Sequence, residues 1–156
     1  AGIIQRVTLI QYSFKLLGGT LGSCCVDRVG RRLLLMPSFA AGSVAAYTIS
    51  QTDAGDRMGR VALLSSVATF YGSMEIVWST LKTFTVELFP TAMRGSAIGV
   101  ATAVGFMGSS ITLAIGPALM SAVSVHMPFR ITACSLVLAL LLTGSLNETA
   151  RKALPS

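Results

Sequence analysis

Charge is what this 156-residue chain has least of. Asp, Glu, Lys and Arg make up 12% of it, against about 25% in soluble domains. Only six of those residues are acidic. Too few charged groups are left to cover a soluble globule, while a disordered chain would be poor in apolar residues and rich in charge. Histidine occurs once, at His126, and no second ligand stands near it. The three cysteines, Cys24, Cys25 and Cys134, form no metal-binding spacing. Cys24 and Cys25 read as small packing residues of a helix, with palmitoylation at a membrane edge as the lesser alternative. No Ser/His/Asp set, Walker loop or dinucleotide fingerprint appears. Gly18-Gly19-Thr20-Leu21-Gly22 is Gly-rich but lacks the lysine of a phosphate loop. These absences argue against an enzyme, a metal site and a bound cofactor. The chain has no initiator Met and no signal-peptide pattern at its start, which reads as a piece of something longer.

What is present is apolar. Hydrophobic residues account for 53% of the chain, and its mean hydropathy is +0.72. The net charge of +6 would raise nucleic acid as a partner in a soluble protein. Here the basic residues flank long apolar runs, the pattern of a membrane protein. A crossing helix needs about 20 residues at ~1.5 Å each. Polar punctuation divides the sequence into five such spans, at about 7–26, 33–50, 61–89, 95–120 and 129–146. The expected fold is an all-α membrane protein of five transmembrane helices. Arg28, Arg31, Arg32, Arg94, Arg151 and Lys152 fall on one side, and Arg6, Arg57, Arg60 and Arg130 on the other. The richer side, which includes the C-terminus, is expected to be cytoplasmic.

The spans differ in character. In the first, Gln11, Lys15, Gly18, Gly19 and Gly22 share one helical face, which should meet protein or water. In the third, Ser65, Thr69, Gly72, Glu75, Ser79, Lys82 and Thr83 form a polar stripe opposite an apolar one, suiting the wall of an aqueous pathway. The fourth carries Gly95-x-x-x-Gly99 and then Gly105, Gly108 and Gly116, a spacing that allows close helix approach. The second and fifth are almost uniformly apolar and read as outer, lipid-facing helices.

Lys15, Glu75 and Lys82 stand out because a charge at mid-membrane costs at least about 2.5–3.5 kcal/mol. Such residues mark a substrate or proton pathway, or else form a structural ion pair between helices. Lys82 also has the option of snorkelling to the membrane edge. Lys15 stands twelve residues before Asp27, and Glu75 twelve before Glu87. Each therefore lies ~18 Å from the same membrane face, and the two are expected to share one cavity.

The loops hold the most specific patterns. Asp27-Arg28-Val29-Gly30-Arg31-Arg32 is a tight basic turn, with Gly30 free to take a positive φ. Glu87-Leu88-Phe89-Pro90-Thr91-Ala92-Met93-Arg94 ends one span at Pro90 and opens the next. The first pattern resembles the cytoplasmic loop signature of the major facilitator superfamily. The second resembles the cytoplasmic end of the tenth of its twelve helices. The tail Leu146-Asn147-Glu148-Thr149, with Ala153-Leu154-Pro155 beyond, is similar to the ending of the organic-ion transporter branch, with Asn147 in place of its usual Pro. Ser23 stands where the loop signature commonly has Gly.

The resemblance covers essentially the whole chain as helices eight to twelve, a partial C-terminal six-helix bundle. It implies a secondary transporter of small organic ions working by alternating access, inactive without its N-terminal bundle and resident in the plasma membrane. It further implies a cytoplasmic gating network of Asp27, Arg28, Gly30, Arg31, Arg32, Glu87, Arg94 and Glu148. The substrate pathway would involve Gln11, Lys15, Glu75, Ser79, Lys82 and Phe106. Phe106 occupies the position at which the branch carries Asp for cations or Arg for anions, and Gly19 the position of the anion transporters' Lys, so the sign of the substrate charge stays open. A sugar porter, or a truncated non-transporting membrane protein that binds partners, are the alternatives.

Overall fold

The computed structural model describes residues 2–52 and 55–145. Five α-helices make up the described residues: α1 (Gly2–Val29), α2 (Arg31–Gln51), α3 (Arg57–Leu88), α4 (Arg94–Ala122) and α5 (Met127–Ser145). The helices begin and end where the polar punctuation falls. α1 gives way to α2 at Gly30, whose φ of 100° and ψ of 148° lie in a region only glycine enters without strain. α3 stops just before Pro90, which has no N–H to donate to a further turn. The Met93 and Arg94 amides both bond to the Pro90 carbonyl at 2.9 and 3.2 Å and start the next helix.

α2, α3, α4 and α5 are each long and apolar enough to cross a membrane. The chain is an all-α membrane protein. α1 has the length but is not among these four; it carries Gln11 and Lys15 within its span. It lies mainly against α3.

The arrangement corrects one expectation. α2 was expected on the outside, facing lipid, because its sequence is so uniformly apolar. It is instead the most buried of the five, packed extensively against α3 and α5 and touching α1. Leu35 and Phe39 of α2 meet Val77 of α3 in the centre, with Met74, Leu136, Ala139 and Leu140 around them. Uniform apolarity carries no directional signal, so it cannot distinguish a helix surrounded by helices from one surrounded by lipid. α5 does leave most of its length exposed, burying only Ala133 and Thr143.

The glycines of α4 make little contact among the described residues: a Cβ at Gly105 would touch the Trp78 ring at 3.8 Å. A Cβ added at Gly95, Gly99, Gly108 or Gly116 would meet nothing within 4 Å, and α4 has no buried residue. The close approach occurs between α1 and α3. A Cβ on Gly18 would lie 2.3 Å from the Gly72 carbonyl oxygen, and one on Gly22 would lie 3.2 Å from the Ile76 Cα.

Buried hydroxyls keep this core polar in sequence but satisfied in space. Thr80, Ser73 and Thr143 donate to the Ile76, Thr69 and Ala139 carbonyls, each at 2.7 Å, and Ser38 donates to Leu34 at 2.8 Å. Each bond stays within its own helix. These Ser and Thr hydroxyls are therefore satisfied within the apolar bundle by their own helix.

Candidate functional site

α1 and α3 are locked together by Gly18 against Gly72, and this contact positions the charged residues. Lys15 lies one turn before Gly18, and Glu75 lies one turn after Gly72. The Lys15 Nζ stands 3.7 Å from Glu75 Oε1, with the two side chains 34% and 30% exposed. The same ammonium lies 5.3 Å from the centre of the Tyr71 ring and 5.9 Å from that of Tyr12. One carboxylate and two aromatic faces thus surround one cation.

Lys15 and Glu75 line an open cavity of about 460 Å³ between α1, α3 and α4. That falls within the ~300–1,000 Å³ usual for small-molecule sites. Its wall is aromatic: Phe70, Tyr71 and Trp78 come from α3 and Phe106 from α4. Phe106 is 69% exposed. A larger groove of about 1,110 Å³ continues along α4 toward α5, past Gly108, Thr112 and Gly116.

The other pathway residues sit apart. Gln11 is half-buried on α1, a turn before Lys15, and does not line the cavity. Ser79 packs at the α1–α3 contact, its Cβ 3.3 Å from where Gly22 would carry one. Lys82 is exposed and lies 5.2 Å over the ring of Trp78. Tyr12, Tyr71 and Trp78 were passed over in the sequence. Their signal was available: Tyr12 and Tyr71 precede Lys15 and Glu75 by three and four residues, and Trp78 precedes Lys82 by four, all same-face spacings on a helix.

A second charged cluster lies at the other end of α3. Arg31, nearly buried, pairs with Glu87, and its Nη1 donates to the Val26 carbonyl at 3.2 Å. Arg32 donates to the Gly144 carbonyl near the end of α5. Arg94 donates from Nε to the Phe89 carbonyl at 3.1 Å. The α1–α2 junction, the end of α3 and the end of α5 therefore meet on one face of the bundle. Arg28 is exposed in the last turn of α1, where a cation complements the helix carbonyls. Glu148 with the tail from residue 146 onward, and the side chain of Asp27, lie outside the described residues. Cys24, Cys25 and Cys134 are free thiols. Among the described residues no three His, Cys, Asp or Glu side chains gather as metal ligands.

These features define a class: a bundle of membrane-crossing helices with an ion pair on the wall of an aromatic cavity and a basic cluster at one end. The sequence places the chain within that class. Residues 3–155 match the family described as "Sugar (and other) transporter", and the chain belongs to that family, within the major facilitator superfamily. It is also 28% identical over 129 residues to "Probable anion transporter 3, chloroplastic" of Arabidopsis thaliana. That alignment takes in 82% of this chain but 24% of the relative, so the chain spans about a quarter of the curated protein it matches.

Proposed function

We propose that this chain is part of the C-terminal bundle of a membrane transporter for small organic ions, corresponding to helices eight to twelve of a twelve-helix protein. The ion pair Lys15–Glu75 carries this reading. Two opposite charges on a cavity wall, at a depth where charge is expensive, suit a site whose ligand is itself charged. The aromatic rings beside the pair suit the organic portion of such a ligand.

In this reading the complete protein works by alternating access. The cluster of Arg31, Arg32, Glu87 and Arg94, with Arg28 and Gly30 at its turn, is a cytoplasmic gate to which Asp27 and Glu148 also belong. Surface pairs are worth only ~0–1 kcal/mol each, but several together bias an equilibrium of a few kcal/mol. Gln11, Ser79, Lys82 and Phe106 flank the substrate route. The C-terminus faces the cytoplasm, and the plasma membrane is the proposed location, although the Arabidopsis relative is named as chloroplastic. The family's description, which names sugars, favours a second reading as a sugar porter.

Uptake by the complete protein separates the two. A panel of organic cations, organic anions, zwitterions and hexoses is offered to cells expressing it. Uptake of at least one organic ion is expected; it should fall when Glu75 is neutralised, and its apparent affinity should shift when Lys15 is. Uptake of hexoses alone, unchanged by those substitutions, overturns the organic-ion reading.

A further inference from the structure

We infer that Glu75, Tyr71 and Tyr12 form a binding cage for an organic ammonium ion, and that Lys15 is a tethered stand-in occupying it. This names the charge of the substrate for the site proposed above and rests on that reading only for its role in transport. The argument comes from what surrounds the Lys15 Nζ. Glu75 Oε1 lies 3.7 Å away. The rings of Tyr71 and Tyr12 lie 5.3 and 5.9 Å away, within the ~6 Å at which a cation is drawn to an aromatic face. The carboxylate and the two ring faces attract a cation, and none of these surfaces attracts an anion. The π faces carry negative charge density and would repel a carboxylate brought to the same point.

An anion at this site would have to take Lys15 away from a carboxylate and two rings while meeting repulsion from all of them. An ammonium ligand has only to replace like with like. It exchanges one cation for another, and the net charge of the cage is restored. Lys15 is able to yield, because its stem is flexible and its side chain is 34% exposed beside an open cavity. Phe70, Trp78 and Phe106 line the adjoining wall, where the apolar substituents of an alkylammonium would lie.

A tethered competitor lowers the apparent affinity of the free ligand in proportion to the time it fills the site. If Lys15 fills the cage nine-tenths of the time, removing it tightens binding about 10-fold. The test is calorimetric titration of the purified complete protein with tetraethylammonium, which carries a permanent charge, and with benzoate as the anionic probe. Lys15→Gln is expected to bind tetraethylammonium about 10-fold more tightly than wild type. Glu75→Gln is expected to lose that binding, and Tyr71→Leu to weaken it roughly 2–5-fold while Tyr71→Phe preserves it. Tetraethylammonium binding that is unchanged or weaker in Lys15→Gln overturns the proposal. So does benzoate binding that disappears in Lys15→Gln, since Lys15 would then be an anion anchor.

A second measurement needs no variant and covers the case in which Lys15→Gln does not fold. Saturating tetraethylammonium should release the Lys15 amine and speed its acetylation in the wild-type protein, read by peptide mass spectrometry. An unchanged labelling rate overturns the proposal. The wider transport reading fails separately, through absence of organic-ion uptake by the complete protein, and leaves these binding results standing on their own.

Discussion

Gly18→Ala tests the packing on which the site depends. Its new Cβ would lie 2.3 Å from the Gly72 carbonyl oxygen and 3.0 Å from that residue's Cα and carbonyl carbon. Ordinary contact begins near 3.4 Å. The obstacle is backbone of another helix, so no rotamer change relieves it, and α1 and α3 must part by roughly 1 Å. A gap of that size forfeits a quarter to a half of the dispersion attraction of the atoms it separates. Overpacking of this kind costs about 1–3 kcal/mol. The same displacement alters the setting of Lys15, one turn away, against Glu75, from which it now stands 3.7 Å. The assay is thermal unfolding of the complete protein in detergent, paired with uptake in cells. Gly18→Ala should lower the apparent Tm by several degrees and impair uptake. Gly19→Ala is the control, because a Cβ there meets nothing within 4 Å. It should be neutral or stabilising by up to ~1 kcal/mol, the helix propensity gained over Gly. Equal stability and equal uptake in the two variants would refute the claim that the Gly18–Gly72 contact sets the site.

Three further outcomes are expected. Gly42→Ala should be far milder than Gly18→Ala, although its Cβ would lie 2.6 Å from Met74 Cε; the far end of a flexible thioether can swing aside, so a cost below about 1 kcal/mol is expected in the same unfolding assay. Gly30→Ala should cost ~1–3 kcal/mol, because φ 100° and ψ 148° are strained for any residue with a Cβ; wild-type stability would show that the turn relaxes elsewhere. Glu87→Lys should leave membrane insertion intact while impairing uptake, since it sets like charges together at the nearly buried Arg31; wild-type uptake by this variant would remove the cluster from the gating mechanism.

The membrane class was legible in the sequence, and so were the approximate helix boundaries. Both rest on local properties: apolar length, the missing donor of Pro90, and the positive φ that only Gly30 accepts freely. Lys15 and Glu75 do pair, but not at one depth: with Gly18 against Gly72 and Gly22 against Ile76, Lys15 lies nearer the level of Thr69, and the two side chains meet by reaching along the helix axis. Three things required the tertiary structure. The central place of α2 was hidden, since a helix apolar on all sides carries no information about which neighbours it has. Among the described residues the close approach between helices fell to Gly18 and Gly72 and not to the Gly95–Gly99 pair, because small residues permit contact but only a facing partner makes it. The tyrosine rings around Lys15 belong to two different helices, so their convergence on one ammonium is decided by how α1 lies against α3. Local sequence sets where a helix starts, stops and carries its charge. What a side chain on that helix meets depends on rotation and register against helices distant in the chain.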